Sequence, residues 1–209
     1  MRAFGYEIDE LVVAHVLLAV VPVLLGLVVA LPLGWWAHRS PVARRVLVPL
    51  SGALYTIPSL ALIVVIPVVL GTPILSPLNV GLTLTIYTVA LLVRSVAEAL
   101  DAVPDTVTTA AVAVGYRPAG LLLGVQLPLA VPVLTAGVRV ASVSSFSLVT
   151  VGALVGIDSL GTLMTSGFEQ AYPLMVAAGV VGSVALAFLF DALWLGLGRG
   201  LTPWSRAGV

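Results

Sequence analysis

Five long apolar runs, separated by short polar stretches, organise the chain. They cover about residues 11–36, 46–70, 80–100, 127–155 and 174–197. A helix needs about 20 apolar residues to cross a hydrocarbon core roughly 30 Å thick. Each run meets that length, so the pattern predicts five membrane-spanning helices. The first ends in Trp35-Trp36, a pair suited to the membrane–water interface. The third holds Arg94 and Glu98. The fourth is long for one span; it either tilts or ends in a short non-spanning piece before Gly156.

The polar stretches set an expected orientation. The connection after the first run carries Arg39, Arg44 and Arg45. The connection after the third carries Arg117, and the C-terminal segment carries Arg199 and Arg206. The alternate connections carry Asp158 and Glu169 and no arginine, and GTPILSPLN is uncharged. Positive-inside bias then predicts the N-terminus outside and the C-terminus in the cytoplasm. Five spans fit that parity, with Arg2 a minor exception.

Composition narrows the class. Only 9% of residues are charged, against about 25% in an ordinary soluble domain. With a mean hydropathy of +1.20, this is an all-α integral membrane helical bundle. Residues 1–209 are expected to form a single domain. Net charge is zero, so no basic tract suggests nucleic acid. There is no cysteine, which excludes thiolate metal sites and cysteine nucleophiles. There is no lysine either; all nine basic residues are arginine. A phosphate-binding loop of the GxxxxGK[ST] type needs that lysine. Any ATP and magnesium are therefore expected on a partner, with no cofactor or metal in this chain. The N-terminal MRAFGYEIDE has three acids and no basic cluster, and is not expected to be a cleaved signal peptide.

Prolines are frequent inside the runs, at Pro22, Pro32, Pro49, Pro58, Pro67 and Pro132. Each removes a helix hydrogen bond. Either this is ordinary membrane-helix geometry or the bundle is mobile and lines a path. TIPSLA, residues 56–61, is the strongest path candidate, with the hydroxyls of Thr56 and Ser59 flanking Pro58. Ser142, Ser144, Ser145, Ser147 and Thr150 form a polar patch on the fourth run. The patch either bonds between helices or lines the path; Ser142 and Ser145 are its path candidates.

Ionisable groups at membrane depth are costly and by default functional candidates. Arg94, Arg139 and Asp191 qualify. An Arg–Asp pair tying spans together is preferred over substrate contact. Tyr55, Tyr87 and Phe146 are scattered singly and read as packing or interface anchors. His15 and His38 lie about six turns apart, too far for a metal pair.

The connection over residues 102–126 interrupts the apolar pattern with TTAAVAVGYRPAGLLLGVQLP. Asp105 is placed to cap a helix over residues 106–114. Gly115 suits a left-handed C-terminal turn. Pro118 suits the first turn of a second short helix over residues 118–125. The whole is a helix-turn-helix at the membrane surface.

This stretch resembles the cytoplasmic EAA motif of ABC-importer permeases: EAA, three residues, Gly, nine residues, Ile-x-Leu-Pro. Ala110 and Ala111 match the alanines and Gly115 the glycine. Val125 stands for the isoleucine, and Leu127-Pro128 closes the motif. Thr109 occupies the usual glutamate position. LYTIPSLALIVVIPVVLG, LLVRSVAEALDAVP and GVRVASVSSFSLVTVGALVG are similar to the osmoprotectant subgroup, which imports glycine betaine, carnitine or choline. The resemblance spans nearly the whole chain. It implies a type I importer permease fold with no ATP site of its own. It implies a cytoplasmic ATPase docked on Thr109, Ala110, Ala111, Gly115, Tyr116, Arg117 and Pro118. It further implies a separate extracytoplasmic substrate-binding protein and a second permease, identical or paralogous.

The rival readings are a stand-alone secondary transporter or channel and a membrane-embedded enzyme. Transporters of the first kind commonly carry paired halves, and no repeat is visible here. Paired intramembrane aspartates, which the second would need, are missing.

Overall fold

The structure, a computed structural model, describes residues 2–3 and 6–206. Two-residue strands β1 (Arg2–Ala3) and β2 (Tyr6–Glu7) pair antiparallel at the start. Among the described residues, every regular element after them is a helix. Helix α1 (Ile8–Arg39) is followed by α2 (Pro41–Thr56), α3 (Ser59–Leu70) and α4 (Pro77–Asp101). Helix α5 (Asp105–Ala113) precedes α6 (Pro118–Leu121) and α7 (Leu127–Gly152). Helices α8 (Leu160–Glu169) and α9 (Pro173–Leu201) complete the bundle.

Among the described residues, α1, α4, α9 and the run 118–155 are each long and apolar enough to cross a membrane. The remaining predicted span, the second, is not one continuous helix. Helices α2 and α3 pass the same test only together, and they bend by 101° where they meet. The cause is local. Proline disfavours helical backbone in the residue before it. Ile57 takes φ −67°, ψ 131° and Pro58 takes φ −59°, ψ 130°, two extended residues in a row. The expected continuous second span is thus two helices at a corner.

Helix α4 is the core of the bundle, packed by α1, α2, α3 and α7. Helix α1 lies along it through small buried residues, among them Ala19, Gly26, Ala30, Gly34 and Ala37. Small residues at helical spacing let two backbones approach in a membrane, where dispersion replaces the hydrophobic drive. The approach is close enough that a Cβ on Gly34 would lie 2.5 Å from Val96 Cβ. The start of α4 is tied to the preceding loop by Asn79. Its amide donates to the Pro73 and Ile74 carbonyls at 2.9 and 3.1 Å, and its oxygen accepts from Thr72 Oγ1 at 2.6 Å.

Two further expectations change. The helix expected over 118–125 is not separate. Helix α6 runs through a wide π turn (Leu122–Gln126) directly into α7. The fourth span does end in a short piece, a tight turn over Ala153–Val155 closed by Gly156 at φ +79°. Helix α8 then follows, unforeseen. It begins with a reciprocal cap: Ser159 Oγ accepts from Gly161 N–H at 3.0 Å, and Thr162 Oγ1 accepts from Ser159 N–H at 3.1 Å. That Ser-x-x-Thr spacing was the available signal.

Candidate functional site

The first candidate lies at the end of the bundle that carries Arg39, Arg44 and Arg117. Helix α5 starts at Asp105, whose carboxylate lies in the first turn, where the helix dipole favours it. The N-cap position is Pro104, so Asp105 acts as a first-turn acid and not as the cap. The helix stops through a paired C-terminal motif. Tyr116 N–H donates to the Ala111 carbonyl at 3.1 Å and Gly115 N–H to the Val112 carbonyl at 3.0 Å. That pairing requires a left-handed residue between them, and Gly115 supplies it at φ +93°. Pro118 then opens α6, and the Arg117 carbonyl accepts from Leu121 N–H at 2.7 Å.

The loop stands out from the bundle. Thr109, Ala110, Gly115, Tyr116, Arg117 and Pro118 are exposed. Ala111 is the exception, buried and turned inward, so it seats the loop and is not available to a docked partner. The exposed face is partly apolar: Val112 is 55% exposed, Val114 77% and Tyr116 46%. The Tyr116 ring lies against the α6–α7 run, where a Cβ on Gly124 would meet its Cε1 at 3.4 Å.

Beneath the loop lies a polar cluster that sequence reasoning missed. Asp101, at the end of α4, accepts from Arg44 Nη1 at 2.5 Å and lies 2.6 Å from His38 Nδ1. The other ring nitrogen of His38 lies 3.5 Å from the amide nitrogen of Gln126, at the end of the π turn. One carboxylate thus joins the ends of α1 and α4 to the start of α2, and His38 extends the chain to the base of α7. No local spacing reveals it, because the partners are 57 to 88 residues apart.

The second candidate is a cavity of about 510 Å3 at the α2–α3 corner. Thr56, Pro58 and Ser59 line it, with Tyr55 and Tyr87. The opposite wall is α7, but through Ser144 and Ser147. Ser142 and Ser145 face the other way. Ser145 Oγ donates to the Ala19 carbonyl at 2.9 Å, and Ser142 Oγ accepts from Trp194 Nε1 at 3.1 Å. Both serines are buried and bonded between helices, and neither lines this cavity. Tyr87 donates its hydroxyl to the Ile57 carbonyl, at the point where the helix is broken.

The ionisable candidates separate. Arg139 on α7 donates through Nε and Nη2 to both oxygens of Asp191 on α9, each at 2.7 Å. Arg94 instead bonds Glu98 one turn along the same helix at 2.7 Å and is exposed. It therefore ties no spans together. His15 is buried on α1, its Nε2 3.2 Å from the Phe146 carbonyl and its ring stacked on Phe146 at 5.8 Å.

The sequence profile of the family described as "Binding-protein-dependent transport system inner membrane component" matches residues 12–202. The chain belongs to that family. It is a multi-pass membrane protein. It is 32% identical over 182 residues to the glycine betaine/proline betaine permease ProW of Escherichia coli strain K12. That alignment covers 87% of this chain and 51% of ProW, so the chain spans about half the length of that relative. It is 26% identical over 203 residues to the choline permease OpuBB of Bacillus subtilis strain 168, covering 97% and 92% of the two chains. In fold it is similar to the inward-facing MetNI methionine ABC transporter, with TM-score 0.81 at 22% identity, covering 93% and 95%.

Proposed function

We propose that this permease is the membrane subunit of an ATP-driven importer for compatible solutes of the glycine betaine, choline or carnitine type. A separate ATPase, which binds ATP and magnesium, docks on the 102–126 loop. An extracytoplasmic binding protein delivers the solute, and a second permease, identical or paralogous, completes the path. The N-terminus lies outside and the C-terminus in the cytoplasm.

The observation that carries this reading is the loop itself. A short helix held away from the bundle by the Gly115 turn, with Val112, Val114 and Tyr116 exposed, is a surface for another protein. Its arginine-rich side is the one that positive-inside bias assigns to the cytoplasm. Ala110 and Gly115 leave room for close backbone contact. Because α6 is continuous with α7, a displacement of the loop passes directly into a span. ATPase closure would draw two such loops together and move the spans from inward-open to outward-open. The loop is then a two-state element biased by a ligand on another chain.

The test is co-purification with the ATPase encoded beside this chain. Wild type should retain the ATPase, while Ala110→Arg should lose it and remain folded in the membrane. Ala110 is chosen because its side chain faces out. Equal retention by both would leave the loop a simple connector and remove the main support for this reading.

A further inference from the structure

We propose that the cavity at the α2–α3 corner is a transient binding site for a quaternary ammonium group, walled by Tyr55 and Tyr87. The proposal deepens the importer reading and rests on it. At about 510 Å3, the cavity lies within the roughly 300–1,000 Å3 range of small-molecule sites. The two rings meet at 72° with centroids 5.4 Å apart, so they form adjoining walls of a corner. Tyr87 is held in place because its hydroxyl is committed to the Ile57 carbonyl. Tyr55 is 40% exposed and presents its ring to the space.

The chemistry of the lining selects the ligand. Among the described residues, no acidic or basic side chain borders the cavity; besides the two tyrosine hydroxyls, its polar side-chain groups are the hydroxyls of Thr56, Ser59, Ser144 and Ser147. A primary ammonium brings N–H groups that must be satisfied, and it is strongly hydrated. A quaternary ammonium has no N–H and sheds water readily, and it is drawn to aromatic faces. Helix α2 ends at Thr56 and helix α3 begins at Ser59 on this cavity, so the opposite ends of their dipoles offset and the rings carry the attraction. The neighbouring acid is already occupied: Asp191 faces a different cavity and is bidentate to Arg139. An uncharged aromatic site also suits a path, since a cation held by a buried carboxylate would leave slowly.

The test uses this permease with its ATPase in lipid nanodiscs, without binding protein, and saturation-transfer NMR of the ligand methyl protons. The probes are glycine betaine, dimethylglycine and alanine at equal concentration. Wild type should transfer saturation to betaine several-fold more strongly than to the other two. Tyr55→Phe keeps the ring and should keep the betaine signal within about twofold. Tyr55→Leu should lower it about tenfold, the scale of a desolvated cation–π contact. Co-purification of the ATPase verifies that each variant folds. Equal signals for the three probes on wild type, or an unchanged signal in a folded Tyr55→Leu complex, overturn the site. Betaine uptake by wild-type proteoliposomes with the binding protein added is measured in parallel. Uptake without a Tyr55 effect rejects the site alone. Absence of uptake of betaine, choline and carnitine rejects the importer reading, and the site with it.

Discussion

Arg139 and Asp191 stand 52 residues apart in the chain and meet in a two-pronged ion pair between α7 and α9. Both guanidinium contacts are 2.7 Å, the length of a charge-assisted bond. The pair leaves neither charge alone at membrane depth, where an isolated one is expensive. Removing one partner strands the other, which costs more than the pair contributes. Asp191→Ala should therefore lower membrane yield and melting temperature, and Arg139→Ala should do the same. The exchange Arg139→Asp with Asp191→Arg should recover part of the loss. Thermal melts of the detergent-solubilised permease check this, and an unshifted melt for either single variant counts against the pair as a fastener.

The α1–α4 contact predicts a sharp difference between two glycines. Gly34 faces Val96 with no room for a Cβ, whereas Gly52 on α2 has nothing within 4 Å of one. Gly34→Leu should destabilise by about 1–3 kcal/mol, the usual cost of overpacking. Gly52→Ala should be neutral or stabilising, since alanine is the better helix former by about 1 kcal/mol. The same melting assay ranks the two.

Much of this architecture was legible in the chain, and the rest failed for identifiable reasons. Apolar length located the spans, and Gly115 and Pro118 located the turn and the next helix start. Pro58 marked the interruption of the second span, but its 101° angle depends on what packs around it. The serines show the limit more clearly. Successive helical residues point about 100° apart, so Ser144 and Ser145 face a cavity and a neighbouring backbone respectively. Sequence alone shows that a patch is polar, not which side of the helix meets protein. The Asp101–His38–Arg44 cluster was invisible for a different reason. It is assembled from three helix ends that only the tertiary fold brings together.

The Tyr87 hydroxyl should act as a latch on the broken span. It satisfies the Ile57 carbonyl, which has left the helical ladder. Tyr87→Phe keeps the ring and removes about 1 kcal/mol of hydrogen bonding. The corner between α2 and α3 should then sample more angles. Spin labels on cysteines placed at Gly52 and Val69, both exposed, would report this in a chain that has no cysteine of its own. Tyr87→Phe should broaden the distance distribution. An unchanged distribution would mean that packing alone holds the corner.

The absence of cysteine also makes orientation directly measurable. Arg117 and Glu169 are both exposed and lie in connections of opposite predicted sidedness. In intact cells an impermeant maleimide should label Glu169→Cys and spare Arg117→Cys. Both should react in opened membranes. The reverse pattern would invert the topology and place the loop where no ATPase can reach it.

Gly115 offers the most direct test of whether loop geometry serves the proposed coupling. Its backbone sits at φ +93°, and a Cβ added there would have no neighbour within 4 Å, so space is not the constraint. The constraint is conformational, because an L-residue in the left-handed region costs roughly 1–2 kcal/mol. Asparagine tolerates that region better than alanine, and a β-branched residue tolerates it least. Retention of the ATPase, and solute-stimulated hydrolysis, should therefore fall in the order Gly, Asn, Ala, Val. A steric clash with the docked ATPase would give another order, with the small alanine above the larger asparagine. The position of asparagine relative to alanine thus separates a loop held in shape by its turn from one that only needs room.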